Sequence, residues 1–229
     1  IDRDIDGLME RTKKRALVRG VIPLSYALVY GTVLGLLGVG ILAFFTNPTT
    51  VIVALIGMFV YVVVYSLYLK RTSVHSALIG GISGAVPPVI GYLSVSGSID
   101  LGVVLLFLIL SLWQMPHSFA IAIYRLEDYA SARIPVLPVV RGIRLTKIQI
   151  LIYTLLFVFA TISLYIFGYA GLVYLIAMSV LGVIWIWIAG KGLLVHGKED
   201  KVWAKKLFTF SIITLLVWCL VIVAEHVVV

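Results

Sequence analysis

Seven apolar runs, each about as long as a membrane-spanning helix, dominate the sequence. They cover residues 24–45, 51–69, 77–95, 102–122, 149–168, 172–190 and 207–225. A helix needs about 20 mostly apolar residues to cross a bilayer, whereas a barrel strand needs about 10 residues of alternating polarity. These runs do not alternate. The sequence therefore predicts an all-α, polytopic transmembrane helix bundle with seven spans.

The distribution of charge predicts the topology of these spans. The chain is 62% hydrophobic and only 12% charged, far from the usage of soluble domains. All 18 Lys and Arg residues fall within four segments, 1–23, 70–76, 123–148 and 191–206. Positively charged loops stay on the cytoplasmic side of a membrane, so these four segments are predicted to be cytoplasmic and the C-terminus periplasmic. The net charge of +8 then reflects topology and gives no support to nucleic-acid binding.

The start of the chain and its cysteine content add two expectations. Residue 1 is an Ile within a polar segment, and neither an initiator Met nor a hydrophobic signal segment precedes it. A cytoplasmic residue 1 is most simply explained by an even number of preceding helices, of which two is the smallest. We therefore expect one transmembrane domain over residues 1–229 that is N-terminally incomplete. Cys219 is the sole cysteine and lies within a predicted helix, which excludes a disulfide and favours a packed structural thiol over a reactive one.

The opening segment gathers acids and bases beside an otherwise nearly uncharged chain. At helical spacing it presents two neighbouring rows, one of Asp2, Asp6 and Glu10 and one of Arg11, Arg15 and Arg19. Carboxylates can hold a divalent cation, and guanidinium groups can hold phosphate. The alternative is a solvated helix with i,i+4 ion pairs.

A second group of candidate residues ends the fourth span, in the sequence Leu112-Trp-Gln-Met-Pro-His-Ser-Phe119. A proline there frees a backbone carbonyl and kinks the helix. At helical spacing one stripe is predicted to contain His117, Ile121, Tyr124 and Asp128, with Trp113 one turn above. Ionisable groups within spans are functional candidates. A packing role for His117 and an interfacial position for Tyr124 remain open alternatives.

The third span contains the glycine- and proline-rich segment Gly80-Gly-Ile-Ser-Gly-Ala-Val-Pro-Pro-Val-Ile-Gly91. Small residues let helices approach closely. A broken helix is tolerated in a membrane where it is packed or lines a cavity. The sequence leaves both close packing and cavity lining open.

Four motifs taken together carry a resemblance to a known family. They are Ile1-Asp-Arg-Asp-Ile-Asp with the following Met-Glu-Arg-Thr-Lys-Lys-Arg-Ala-Leu-Val-Arg-Gly, then Ser-Gly-Ala-Val-Pro-Pro-Val-Ile-Gly, Trp-Gln-Met-Pro-His-Ser, and Tyr-Arg-Leu-Glu-Asp-Tyr with Ile-Pro-Val-Leu-Pro-Val-Val. They resemble the heme O synthases (protoheme IX farnesyltransferases), a branch of the UbiA-type intramembrane prenyltransferases. The resemblance runs from residue 1 to about 225 and is nearer to bacterial than to mitochondrial forms.

The resemblance implies a fold and a reaction. The family fold is a nine-helix bundle, of which this chain would supply the last seven. The reaction is transfer of a farnesyl group from farnesyl diphosphate to a vinyl group of heme B, with addition of water, giving heme O and diphosphate. Mg²⁺ is the implied cofactor, and heme B is a substrate. The implied location is the bacterial inner membrane, and association with heme A synthase or terminal oxidase assembly is a further expectation.

The resemblance also implies site residues. The implied metal ligands are Asp2, Asp6 and Asp128, with catalytic roles that extend to His117 and Tyr124. The implied substrate-binding residues are Arg11, Arg15, Lys70, Arg71, Trp113 and Arg125. The superfamily's second motif usually has two or more aspartates, whereas here Tyr124 and Asp128 occupy the comparable spacing. The number of metal ions therefore stays open, as does the choice between heme contact and proton acceptance for His117.

Three other functions compete with this prediction. An intramembrane prenyltransferase acting on an aromatic or quinone precursor would share the diphosphate chemistry and differ in its acceptor. A heme or small-molecule transporter would place charged or broken-helix sites near the midplane, whereas the charge here lies at one face. A membrane scaffold gives no reason for aspartates four residues apart.

Overall fold

The computed structural model describes residues 1–227, which form helices and turns and contain no strand. The helices are α1 (Arg3–Asp6), α2 (Leu24–Phe45), α3 (Pro48–Phe59), a π-helix (Val60–Leu69), α4 (Lys70–Thr72), α5 (Ser76–Ser96), α6 (Leu101–Tyr124), α7 (Leu126–Ser131), α8 (Leu137–Arg141), α9 (Ile143–Ile166), α10 (Leu172–Lys191) and α11 (Lys198–Val227).

The predicted fold class is confirmed. Within the described residues, seven helical stretches are long and apolar enough to cross a membrane, and α3, the π-helix and α4 together form one of them, Pro48–Thr72. Two helices begin more than one turn before the predicted apolar runs, α9 at Ile143 and α11 at Lys198. These added starts contain Lys147 and Asp200, whose side chains are buried against each other.

Polar side chains define where two of the helices begin. The Asn47 side chain accepts a hydrogen bond from the Thr50 backbone N–H at 3.0 Å, with Pro48 at the first helical position of α3. Asn47 also donates to the carbonyl oxygen of Leu93 at 2.7 Å, which joins the start of α3 to the end of α5. Asp100 caps α6 in the same way, since its side chain accepts from the Val103 N–H at 3.1 Å.

The chain divides into two compact units. The first contains Ile1–Ile99 and Leu126–Val136, and the second contains Asp100–Arg125 and the chain from Leu137 onward. In the first unit α3 and the π-helix pack against α5, while α2 contacts α3. In the second unit α6, α9, α10 and α11 form a ring of neighbours, each helix packing against two others.

The glycine-rich segment of the first unit serves close helix packing. A Cβ at Gly80 would lie 2.8 Å from Cε2 of Tyr65, on the π-helix. On the facing helix α3, a Cβ at Gly57 would lie 2.8 Å from a methyl of Val86. The proline pair 87–88 lies inside α5, which runs without interruption. Of the two alternatives for this segment, the described contacts support close packing.

A small hydrophobic core joins two connections in the first unit. Its buried residues are Met9, Ala132 and Ile134, and Ile5, Tyr129 and Val136 pack against them. The Thr12 hydroxyl, almost fully buried, donates to the carbonyl oxygen of Asp6 at 2.8 Å and holds the opening segment in a tight fold. The opening segment and residues 126–136, which the sequence singled out separately, therefore pack on each other.

The second unit has a core of large buried side chains and internal polar bonds. The rings of Phe157 and Trp185 meet edge to face, with centroids 5.1 Å apart. The Tyr174 hydroxyl donates to the Thr161 carbonyl oxygen at 3.1 Å and lies 3.2 Å from the indole N–H of Trp218, which donates to it. Buried polar groups that satisfy one another in this way fix how the helices pack.

The prediction of one helix through the opening segment is wrong. Only Arg3–Asp6 is helical, and turns follow through residue 22. Asp2 and Asp6 keep their predicted relation, since the Asp6 N–H donates to the Asp2 carbonyl oxygen at 2.8 Å across one turn. Glu10 and the arginine row do not continue that face, because the chain folds back around the buried Met9 side chain instead of extending into solvent.

The prediction of one stripe from His117 to Asp128 is also wrong. Helix α6 ends at Tyr124, because Arg125 leaves the helical conformation at φ −112° and ψ 30°. Asp128 lies on α7, a separate helix of the first unit. Pro116 lies within α6, which continues past it.

Candidate functional site

The first unit places acids and bases around one turn of backbone. We name Asp2, Asp4 and Asp6 the acidic turn. Lys70, at the start of α4, donates from Nζ to Oδ2 of Asp2. Oδ1 of the same carboxylate is buried and has no hydrogen-bond partner. Arg15 donates from Nη1 to Oδ2 of Asp6 at 2.6 Å. Asp2 and Asp6, the two aspartates predicted to bind metal, therefore each contact a basic residue that is predicted to bind the diphosphate of the substrate.

Arg71 holds the third member of the acidic turn. Both of its terminal nitrogens donate to the Asp4 carboxylate, Nη2 at 2.8 Å from Oδ1, and Nη2 also donates to the carbonyl oxygen of Ile1 at 3.0 Å. This bidentate pairing lowers the pKa of Asp4 from 3.8 to about 2, chiefly through the Arg71 hydrogen bonds. The acidic turn is thus tied to α4 by two adjacent bases, Lys70 and Arg71.

Asp2 and Asp6 of the acidic turn offer carboxylate oxygens, the ligand type that Mg²⁺ prefers, and metal binding by them stays a prediction. Mg²⁺ is commonly held by one or two carboxylates together with water and phosphate oxygens rather than by an all-protein cage. Asp2 offers an unpartnered buried oxygen, and Asp6 is one turn away. No group of three or more metal-ligating side chains occurs in the described residues, so Asp128 does not complete a three-acid cluster with Asp2 and Asp6.

The other residues predicted to bind the substrate or the metal lie on several separate elements. Arg11 is exposed in the turns after α1, and Asp128 is half-buried on α7. In the second unit, the guanidinium carbon of Arg125 lies 4.6 Å from the centroid of the half-buried Tyr124 ring. Substrate contact by Arg11, Tyr124 and Arg125, and metal ligation by Asp128, stay predictions.

The second unit surrounds His117 with aromatic rings and one hydroxyl. The His117 ring stacks on Trp113 with centroids 4.6 Å apart and meets Phe208 at 4.7 Å. Its Nδ1 lies 2.8 Å from the Ser211 hydroxyl oxygen. The Trp113 indole N–H donates to the Ser211 carbonyl oxygen at 2.8 Å. Trp113 is buried and bonded inside the bundle, so its predicted substrate contact stays a prediction.

The sequence reasoning missed Asp4 and Ser211. Asp4 breaks the four-residue spacing of Asp2 and Asp6, yet the acidic turn needs it to bind Arg71. Ser211 is a fully buried serine within the apolar run of α11, and a polar side chain at such a position was the available signal.

Comparisons with known proteins agree on the fold and the family. The chain is 54% identical to "Protoheme IX farnesyltransferase 2" of Pseudomonas fluorescens and to "Protoheme IX farnesyltransferase" of Pseudomonas syringae pv. syringae. Each match spans 94% of this chain and 72% of the relative. A solved structure of a digeranylgeranylglyceryl phosphate synthase superposes with a TM-score of 0.80 at 21% identity, over 100% of this chain and 78% of that one, which supports the fold. A sequence profile of the UbiA prenyltransferase family matches residues 1–213. The chain therefore belongs to the UbiA prenyltransferase family.

Proposed function

We propose that this protein transfers the farnesyl group of farnesyl diphosphate to a vinyl group of heme B, with addition of water, and releases heme O and diphosphate. The observation that carries the proposal is the acidic turn, where Asp2 and Asp6 each contact a base that can bind diphosphate. The 54% identical relatives named protoheme IX farnesyltransferase support the choice of prenyl donor and acceptor.

The acidic turn would hold the diphosphate end of the donor. A Mg²⁺ ion held by Asp2 and Asp6 would neutralise charge that develops on the diphosphate. Lys70 and Arg15 now contact these carboxylates, so we infer that they exchange a carboxylate oxygen for a diphosphate oxygen when substrate binds. Arg71 would stay on Asp4 and keep the turn in place during that exchange.

The bond changes follow from allylic chemistry. The carbon–oxygen bond of farnesyl diphosphate breaks, and its electron pair leaves on diphosphate. The π electrons of the heme vinyl group form the new carbon–carbon bond, which leaves a cation beside the porphyrin. One water adds there and loses a proton to a base. Excess water would capture the farnesyl cation, so the reaction needs a nonaqueous environment. In the second unit, we assign His117 to the heme side of this reaction.

The same proposal includes location and domain organisation. We infer that the protein lies in the bacterial inner membrane with 1–23, 70–76, 123–148 and 191–206 on the cytoplasmic side, because these segments carry all Lys and Arg. One family profile spans residues of both compact units, which supports their belonging to one prenyltransferase domain.

The test is mass-resolved chromatography of hemes extracted from membranes that contain the full-length protein, heme B, farnesyl diphosphate and Mg²⁺. We expect a heme with a hydroxyethylfarnesyl group, and we expect Asp6→Asn to abolish it. Glu10→Gln is the matched control, because Glu10 is an exposed acid of the same segment that pairs with the nearby Lys13. The control should retain activity.

Each alternative result has a meaning. Release of diphosphate without a new heme would overturn the acceptor and favour a prenyltransferase for an aromatic or quinone precursor. No release by well-inserted protein would overturn the enzymatic proposal. Full activity in both Asp2→Asn and Asp6→Asn would refute the metal assignment.

A further inference from the structure

Ser211 makes two side-chain hydrogen bonds, one with a backbone carbonyl of its own helix and one with His117. Its hydroxyl donates to the carbonyl oxygen of Phe208 at 2.6 Å, and a carbonyl can only accept. A serine hydroxyl has a single hydrogen, so it has none left for a second partner. With the hydroxyl hydrogen directed at the Phe208 carbonyl, the contact between Ser211 Oγ and His117 Nδ1 at 2.8 Å uses a hydrogen carried by the histidine.

This arrangement selects one neutral form of the imidazole. When Nδ1 carries the hydrogen, Nε2 carries the lone pair. The surroundings hold the ring in place, since it stacks on Trp113 and meets the Phe208 ring. Trp113 is itself anchored by its N–H to the Ser211 carbonyl oxygen at 2.8 Å. The backbone and side chain of Ser211 thus hold two aromatic residues, one turn apart on α6.

We propose that Ser211 is a positioning residue that holds His117 as the Nδ1–H tautomer and leaves the Nε2 lone pair for the heme side of the reaction. The catalytic part of this proposal rests on the proposed function, whereas the tautomer does not. A lone pair at Nε2 can take the proton released by the added water or bind the heme iron. Both uses are lost if the hydrogen moves to Nε2, because that atom then becomes a donor.

The chain offers a matched control for Ser211. Ser163 on α9 is also a buried serine of the second unit, and its hydroxyl donates to a carbonyl of its own helix, that of Phe159, at 2.9 Å. Ser163→Ala and Ser211→Ala delete the same atom and the same type of local bond. They differ because the Ser211 hydroxyl also accepts from His117.

The test combines a spectroscopic and a kinetic measurement on the full-length protein in detergent micelles. ¹⁵N NMR of histidine-labelled protein reports which ring nitrogen carries hydrogen, and a His117→Gln sample identifies the signal. We expect protonated Nδ1 in the unmodified protein and in Ser163→Ala, and a shift toward protonated Nε2 in Ser211→Ala. We also expect Ser211→Ala to lower kcat for heme O formation about tenfold or more, with the KM for farnesyl diphosphate unchanged.

The outcomes separate this proposal from the proposed function. Protonated Nε2 in the unmodified protein would overturn the proposal whatever the variants do. An unchanged tautomer in folded Ser211→Ala, or equal losses in Ser211→Ala and Ser163→Ala, would show that Ser211 is merely structural. A third outcome is that Ser211→Ala shifts the tautomer as expected but the unmodified protein forms no heme O. That result would support the role of Ser211 in holding the tautomer and would reject the proposed reaction.

Discussion

Removing one partner of the buried Lys147–Asp200 ion pair should destabilise the protein far more than removing both. Lys147 is the fifth residue of α9 and Asp200 the third residue of α11, and their side chains are only 4% and 10% exposed. The Lys147 ammonium donates to Asp200 and also to the carbonyl oxygen of Val195 at 2.6 Å. It lies 5.5 Å from the centroid of the Trp203 ring. The pair therefore fastens the starts of two helices to the chain between α10 and α11.

The burial sets the size of the effect. Deleting one member of a buried pair leaves an uncompensated charge and costs about 3–5 kcal/mol. We expect Asp200→Asn to fall near the lower limit, about 3 kcal/mol, because the Val195 carbonyl and the Trp203 ring still face the ammonium. Lys147→Met should cost a similar amount, since the Asp200 carboxylate would stay buried without its cation. The double variant Lys147→Met with Asp200→Leu should be within about 1 kcal/mol of the unmodified protein, because apolar replacement of both charges is often neutral.

The assay is reversible unfolding of the four proteins in mixed detergent micelles, followed by circular dichroism and analysed as a double-mutant cycle. The exposed Lys13–Glu10 pair is the control, with side chains 44% and 78% exposed. Glu10→Gln should change stability by less than about 1 kcal/mol. Single-variant costs of Lys147 and Asp200 that match this control, or that add in the double variant, would refute the reasoning.

Three further outcomes follow from the described contacts. Gly192→Ala should lower the free energy of unfolding by about 1–3 kcal/mol, because the added Cβ would lie 2.2 Å from the buried Trp203 ring. Gly190→Ala is the control and should not destabilise the protein, because a Cβ at Gly190 would meet open space. Arg71→Gln should expose the opening segment to limited proteolysis without unfolding the spans, because it removes the bidentate bond to Asp4; an unchanged cleavage rate would contradict this. Chelation by EDTA should abolish farnesyl transfer and added Mg²⁺ should restore it; activity in EDTA would count against the metal assignment.

The sequence was sufficient for the spans because hydropathy acts over whole helices. A run of about 20 apolar residues in a bilayer has few options other than a helix. The Asp2–Asp6 relation could also be predicted, since one helical turn fixes it locally. The positions of Arg11, Arg15 and Arg19 could not be predicted in this way. The turns after α1 depend on packing Met9 against Ala132 and Ile134, which are more than 100 residues away in the sequence.

Charged residues near the membrane boundary were the hardest to interpret. Lys147 reads as a typical positive-inside residue, and only the folded chain reveals that Asp200 buries it. The local sequence points the other way, because exposed Lys13 has an acid three residues before it, whereas the acid that pairs with Lys147 lies 53 residues further along the chain. Ser211 was missed for a related reason, because its importance lies in a hydrogen bond to His117 on another helix rather than in its own neighbourhood.

The π-helix Val60–Leu69 determines the direction, around the helix axis, in which the side chains after it point. A π-helix, with hydrogen bonds between residues five apart, makes fewer turns than an α-helix of the same number of residues. Over the ten residues of this π-helix the difference amounts to about half a turn. Lys70 and Arg71 therefore emerge on the opposite side of the helix axis from where a uniform helix would carry them. The contacts of Lys70 and Arg71 with the acidic turn depend on this lower number of turns. Deleting one residue between 60 and 69 would therefore rotate both bases away from their present direction.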